Sequence, residues 1–217
     1  MTDAHAHLKD NLWRELAPID AALAAGTIDE ATWHRRIAEL VVPAYLAAAT
    51  PPGGSGHSGD WARARRPVLE ALDRAGTFLD VGCANGLLLE SVAAWSQHEI
   101  DPHGLEIVPE LADLARARLP QWAERIHVGN ALSWEPPGRF TYARTNLEYA
   151  PPARRGELVE RLLSYADRVI VGVFNEERGA RPTEQLLRSL GFEIAGRRDV
   201  PHPAKREVDY RVLWLDA

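Results

Sequence analysis

The 217-residue sequence has one cysteine, Cys83, no stretch near the roughly 20 apolar residues of a membrane helix, no surplus of positive charge and no internal repeat. Each absence removes a class of protein. A lone thiol forms neither an intramolecular disulfide nor a cysteine metal cluster, and it suits a reducing compartment, so the cytoplasm is the expectation. No metal site is expected, since His5 and His7 have no third ligand nearby. The opening, MTDAHAHLKDNLWREL, is charged and lacks the apolar core of a secretory signal. Lys and Arg number 25 against 31 Asp and Glu, a net charge of -6. Such a field repels a polyphosphate backbone and argues against a nucleic-acid partner. At 46% hydrophobic, the chain is still long enough to bury one sizeable core.

What is present falls into two parts, a helical cap with a glycine-rich connection over residues 1–60 and a main domain over 61–217. In LKDNLWRELAPIDAALAAG and TIDEATWHRRIAELVVPAYLAAA, apolar residues recur at three- and four-residue steps. Gly26 ends the first helix, and Thr27 or Asp29 caps the second. The prolines and glycines of TPPGGSGHSGDW, Thr50 to Trp61, hold no regular element, and ARARRPVLEALDRAG resumes as a helix up to Gly76. From Thr77, short apolar runs alternate with amphipathic helices, the pattern of βαβ units and a mainly parallel sheet. Strands are predicted at Thr77–Val81, Gly104–Val108, Arg125–Val128, Arg139–Thr145 and Arg168–Phe174. The predicted helices are Gly86–Gln97, Pro109–Leu119, Ala153–Ala166 and Arg181–Leu190. The ending, GFEIAGRRDVPHPAKREVDYRVLWLDA, has two strand-like runs with no helix between them, hence an antiparallel pair at one sheet edge.

In FLDVGCANG the first of these strands ends at Asp80 or Val81 and a helix begins near Gly86. The turn between them sits at the carboxyl edge of a central strand, where open α/β sheets bind ligands. Gly82 and Gly86 bring bare backbone to a ligand, and the N–H groups opening the helix are free to meet its polar atoms. A phosphate-binding P-loop would need Gly-Lys-Ser/Thr, but Gly86 is followed by Leu87, Leu88 and Leu89. A dinucleotide G-x-G-x-x-G counted from Gly82 meets Ala84 and Leu87, which weakens an NAD-dependent dehydrogenase without removing it.

An acid followed by G-x-x-x-G, with the elements in this order from about Gly76 to Ala217, resembles the class I S-adenosylmethionine-dependent methyltransferases. The resemblance implies an α/β fold with a Rossmann-like, mainly parallel seven-stranded sheet, an antiparallel C-terminal strand pair and helices on both faces, here with an N-terminal helical cap. It implies S-adenosyl-L-methionine as methyl donor and S-adenosyl-L-homocysteine as product. The implied donor-binding residues are Asp80, Gly82, Cys83, Ala84, Asn85 and Gly86 of the turn, Glu106 and Ile107, Asn130 and Ala131, and Asn146. Glu106 matches the family acid that bonds both ribose hydroxyls, since a carboxylate accepts two protons at once. Asn130 stands where the family often has Asp, and its amide carbonyl still accepts from an adenine amino group.

In ARTNLEYAPP, Asn146, Leu147, Glu148 and Tyr149 match the segment that borders the methionine moiety and the acceptor. Thr141 replaces an acid common in such strands, and the Asn/Asp-Pro-Pro-Tyr/Phe signature of many nucleobase-amine methylases is absent. The expected acceptor is therefore an O or N atom of a small molecule; an RNA methyltransferase and a cofactor-binding module without transfer activity are the alternatives. Candidate bases are His57, Glu148 and His202, while Tyr149 orients or walls the acceptor, and Trp61 and Leu147 contact it. His57 and Trp61 make the glycine-rich connection a candidate lid. His127 is expected to pack within its strand. Cys83, with no base or partner in reach, is read as a small turn residue rather than a nucleophile. Asp199 and Glu207 interleave the basic cluster Arg197, Arg198, Lys205 and Arg206, which reads as a self-paired surface loop.

Overall fold

A computed structural model describes residues 15–46, 58–202 and 205–217. The chain divides into two compact units, Met1–Trp61 and Ala62–Ala217. In the first, α1 runs through residues 15–24 and Gly26, at φ +69°, turns the chain out of it. Helix α2, Glu30–Leu46, starts where Asp29 Oδ1 accepts the Thr32 N–H at 2.8 Å, so Asp29 is the cap. Trp33, 2% exposed, donates its Nε1–H to Asp20 Oδ1 at 2.8 Å and ties the two helices together.

The predicted helix over residues 62–76 is broken. Helix α3 spans Ser58–Arg65, taking in the end of the glycine-rich connection, and a 3-10 turn follows over Arg66–Ala71. Pro67 is the cause: its ring disfavours α-helical geometry at Arg66, and it has no N–H to continue the ladder. Among the described residues, no helix is long and apolar enough to cross a membrane.

The second unit is built on a seven-stranded sheet in the order β3-β2-β1-β4-β5-β7-β6. The strands are β1 Gly76–Val81, β2 Ile100–Glu106, β3 Ile126–Val128, β4 Phe140–Thr145, β5 Ala166–Glu177, β6 Gly196–Pro201 and β7 Val208–Asp216. The first five pair in parallel, and β7 runs antiparallel to both β5 and β6, as the helix-free ending predicts. The connecting helices are α4 Leu87–Trp95, α5 Pro109–Arg118, α6 Arg155–Tyr165 and α7 Pro182–Ser189. One core joins Leu79 and Val81 of β1 and Val169 and Val171 of β5 to Leu158, Val159 and Leu162 of α6 and Leu187 of α7.

Strand β2 begins and ends earlier than its predicted span, Gly104–Val108. Pro102 argues against a strand in isolation, but β3 pairs with β2 only from Gly104 onward. The first half of β2 is therefore an edge, where a residue without an N–H is tolerated. At its far end Val108 has already become the N-cap of α5.

The outer edge is fastened by charge. Arg211 of β7, 2% exposed, donates to Asp199 of β6 at 2.5 Å and to Glu176 of β5 at 2.7 Å. Glu176 also accepts the Thr183 N–H at the start of α7, at 2.7 Å. Glu184 of α7 then pairs with Arg197 of β6 at 3.1 Å.

Candidate functional site

The sheet order places β1 beside β4, with β2 and β3 on one side and β5 on the other, so the chain reverses its direction of travel between β1 and β4. Crevices at the carboxyl ends of strands form at such a reversal. The turn leaving β1 occupies it. Gly82, Ala84 and Gly86 all have positive φ, at +74°, +48° and +75°. Ala84 is the one non-glycine with positive φ among the described residues, and such a conformation persists only where the surroundings impose it.

Glu106 supplies part of that constraint. Its Oε2 accepts the Ala84 N–H at 2.9 Å and its Oε1 accepts the Val108 N–H at 3.0 Å. The Gly82 N–H bonds to the Leu105 carbonyl at 2.7 Å, and the Gly86 N–H to the Cys83 carbonyl at 2.9 Å. Asn85 Oδ1 accepts the Leu87 N–H at 3.3 Å, and its carbonyl takes Arg118 Nε at 2.9 Å. The absent side chains at Gly82 and Gly86 are used within the chain itself: a Cβ at Gly82 would collide with the Tyr149 ring, and one at Gly86 would lie 2.8 Å from Leu119 Cδ1.

Asp80 does not present an open carboxylate to the turn. It is 1% exposed and accepts Arg144 Nη1 at 3.1 Å, with Arg144 itself 2% exposed. Burial pushes the Asp80 carboxyl above its ordinary range, and Arg144 and Arg65 pull it back in part. Burial opposes the Arg144 cation, but Asp80 and Tyr149 more than offset this, so its pKa is raised. Glu106 is likewise raised by burial, against the pull of its backbone donors. The buried Cys83 thiol is pushed well up by desolvation and by the charges of Asp80 and Glu106, so it is no nucleophile.

Along the same sheet edge, Ile107 and Val128 are 37% and 41% exposed, apolar side chains standing at the ends of neighbouring strands. Asn130 Oδ1 accepts the Leu132 N–H at 2.9 Å, so one lone pair of its amide oxygen is already engaged, and Ala131 beside it is half-buried. After β4, Asn146 is 8% exposed, and Leu147, at 4%, belongs to the hydrophobic core rather than to an open wall. A leucine in the first turn after a central strand packs back onto the helices covering that strand. Glu148 is half-buried, its carboxyl raised by desolvation despite Arg155 and Arg144. Tyr149 stays 40% exposed while its hydroxyl receives Asn146 Nδ2–H at 3.0 Å.

The remaining candidates separate. His202 follows β6, four strand positions from β1, which at ~4.8 Å per strand is about 19 Å across the sheet. Its Nδ1 accepts the Lys205 N–H at 3.0 Å and its ring lies against Tyr210, so the terminal loop does not bring it to the turn. His127 stacks on His103, ring centres 6.3 Å apart, as a packed strand residue. Trp61 is buried, and His5, His7 and His57 lie outside the described residues. Among the described residues, no three His, Cys, Asp or Glu side chains are grouped to hold a metal ion. Arg197 pairs with Glu184 and Asp199, and Arg198 lies 4.0 Å from Glu70, so these two cations are locally balanced.

Two arginines escaped the sequence. Arg144 looks like strand filler in TYARTN, yet an arginine amid a buried strand demands a partner, and that was the available signal. Arg65, half-buried, lies 3.7 Å over the centre of the Phe174 ring, which Arg144 approaches at 5.8 Å. The end of β5 thus brings an aromatic face and a second cation toward Asp80.

Comparison with known proteins bears on the fold. No family model matches the chain. The solved 1,6-didemethyltoxoflavin-N1-methyltransferase of Burkholderia thailandensis, with S-adenosylhomocysteine bound, is similar at a TM-score of 0.53 and 22% identity, over 70% of this chain and 77% of that one. The [4+2]-cyclase SpnF is similar at a TM-score of 0.55 and 20% identity, over 72% and 81% of the two chains. In sequence, 59 residues are 37% identical to the tRNA1(Val) (adenine(37)-N6)-methyltransferase of Yersinia enterocolitica, covering 26% of this chain and 24% of that protein. The match thus spans about a quarter of that relative's length. The chain has the Rossmann-like fold of the S-adenosylmethionine-dependent methyltransferases, with the seven-stranded order and the antiparallel outer pair.

Proposed function

We propose that the protein is an S-adenosylmethionine-dependent methyltransferase whose acceptor is an O or N atom of a small molecule. The observation that carries this is the left-handed turn at Gly82, Ala84 and Gly86, locked to Glu106 at the point where the sheet reverses. The residues fit an adenosyl sulfonium. The Glu106 oxygens accept the Ala84 and Val108 N–H groups, and a carboxylate has about four acceptor sites, enough to take ribose hydroxyls as well. Ile107 and Val128 offer apolar surface beside it for a flat base, and Asn130 and Ala131 follow on the next loop. Glu106 adds a buried carboxyl on this side of the turn, while the Asp80 charge is already met by Arg144.

When bound, the donor would supply an electrophilic methyl open to in-line attack by an acceptor lone pair, the new C–O or C–N bond forming as the C–S electrons return to sulfur and S-adenosylhomocysteine leaves. The chain's part is alignment and exclusion of water, effects worth up to about 7–11 kcal/mol of barrier when reacting atoms are well placed. Asn146 and Tyr149 stand between the turn and the acceptor side. Glu148, with its raised pKa, takes the proton from an acceptor that must lose one.

One observation favours a second reading, an RNA methyltransferase: the 59-residue similarity to a tRNA-modifying enzyme. Against it stands the net charge of -6. A module without transfer activity is the remaining alternative, because this fold hosts other chemistry. Calorimetry with S-adenosylmethionine and S-adenosylhomocysteine tests the proposal: both bind, and a panel of small O- and N-nucleophiles yields a methylated product. Failure of folded protein to bind either compound overturns it. Salt-sensitive RNA binding with transfer to RNA promotes the second reading.

A further inference from the structure

The roles above leave Arg144 without a task. Its two ends point in different directions: Nη1 donates to Asp80 Oδ1 at 3.1 Å, and Nη2 donates to Asn146 Oδ1 at 2.5 Å. The second bond decides which way the Asn146 amide faces. With Oδ1 taken as acceptor, Nδ2 is left to donate, and it donates to Tyr149 Oη at 3.0 Å. Tyr149 is 40% exposed, yet its ring lies so close on Gly82 that a Cβ there would collide with it. An exposed aromatic side chain is ordinarily free to change rotamer. Here it is held by a line of hydrogen bonds that is rooted in a fully buried ion pair and ends on the Tyr149 hydroxyl, while the ring lies on Gly82, which opens the turn after β1. The same geometry would serve a merely structural pair if Arg144 only neutralised Asp80; the bond to Asn146 is surplus to that role.

We propose that Arg144 is a positioning residue of the transfer site, acting through Asn146 to set the Tyr149 ring on Gly82 and so to fix the acceptor-side wall relative to the donor turn. The idea uses the methyltransferase reading for its ligand, while the ring contact itself is independent of that reading. Lysine separates the two functions of Arg144. Arg144→Lys keeps a cation opposite Asp80, but one ammonium without a planar fork does not span Asp80 and Asn146 together.

The experiment is a pair of measurements on the full chain. The first follows the nuclear Overhauser contact between the Tyr149 ring and the Gly82 α-protons. The second follows the calorimetric Kd for S-adenosylhomocysteine in a double-mutant cycle of Arg144→Lys with Tyr149→Ala. Expected: Arg144→Lys still folds, loses the ring contact and changes Kd between about threefold and tenfold, the range one hydrogen bond commands. In the Tyr149→Ala background the same substitution changes Kd less than about twofold, because its effect passes through the ring. Asn146→Ala, which leaves the buried ion pair in place, loses the ring contact as well, and it supplies the test should Arg144→Lys fail to fold. A ring contact that survives Asn146→Ala or Arg144→Lys, or a Kd change of equal size with and without Tyr149, overturns the proposal. Wild-type protein that holds the ring contact and ignores S-adenosylhomocysteine sinks the methyltransferase reading and leaves the contact data to judge Arg144.

Discussion

Replacing Glu106 by Gln removes a charge and almost no volume. In the folded protein the two carboxylate oxygens accept the Ala84 and Val108 N–H groups at 2.9 and 3.0 Å, and the residue is 5% exposed. A glutamine has one acceptor oxygen, so one of these N–H groups faces an NH2 donor and loses its partner. The orphan costs about 1–3 kcal/mol, and turning the surviving bond from charge-assisted to neutral costs about 1 kcal/mol more. Part of this returns, because the amide escapes the desolvation that raises the Glu106 pKa. The net loss is on the order of 2 kcal/mol, a fall in Tm of about 4–8 °C for a chain of this length. The pH dependence checks the offset. With a folded pKa above 4.5, the folded state holds the Glu106 proton more tightly than the unfolded chain. Wild type therefore loses this contribution as pH rises from 4.5 through the folded value, and Glu106→Gln does not, so the two melting temperatures draw closer as pH rises. The same variant loses a charged acceptor for the ribose diol, and its calorimetric Kd for S-adenosylhomocysteine rises about tenfold or more. A variant that melts with wild type at pH 7 and binds with unchanged Kd would refute both roles given to Glu106.

Other perturbations give equally definite outcomes. Gly82→Ala combines a left-handed φ of +74° with a Cβ that strikes the Tyr149 ring, so it lowers stability by about 1–2 kcal/mol or more in denaturant titrations and weakens S-adenosylhomocysteine binding. Tyr142→Phe strips the hydroxyl that accepts the Asp73 and Arg74 N–H groups at 3.0 and 2.9 Å and donates to Asp73 Oδ1 at 2.7 Å; a loss of about 1–3 kcal/mol with no change in ligand Kd is expected. Burial holds His103 and His127 below their usual pKa of 6.5, so the unfolded chain binds more protons, and stability falls as pH drops below 6.5. His127→Phe flattens that fall in melts run between pH 7 and pH 5, and an unflattened profile would exclude the pair as its source.

The parts of the fold legible in the sequence were those where one local rule acts alone. The β1 strand, the glycine turn and the caps at Asp29 and Gly26 follow from residue type and spacing, and the helix-free ending announces β6 and β7. Prolines were harder because their effect depends on the neighbour: Pro102 is harmless beside an absent β3 residue, whereas Pro67 divides a helix. At the site, Glu106 stands at the end of its strand as a strand-end acid should. What no spacing encodes is lateral distance, which sends His202 across the sheet, and the pairing of Arg144 with Asp80, 64 residues apart in the chain. Leu147 lies in the segment that resembles the family's acceptor border, and its side chain packs in the hydrophobic core.

The outer edge carries a consequence for how the chain is made. Among the described residues, strand β6 has no neighbour but β7, and β7 is what separates it from β5. On a ribosome, β5 and β6 therefore emerge with open flanks and wait for β7 to be inserted between them. Arg211, arriving with β7, meets carboxylates already made on both sides and locks the inserted strand between them like a stave driven into a cask.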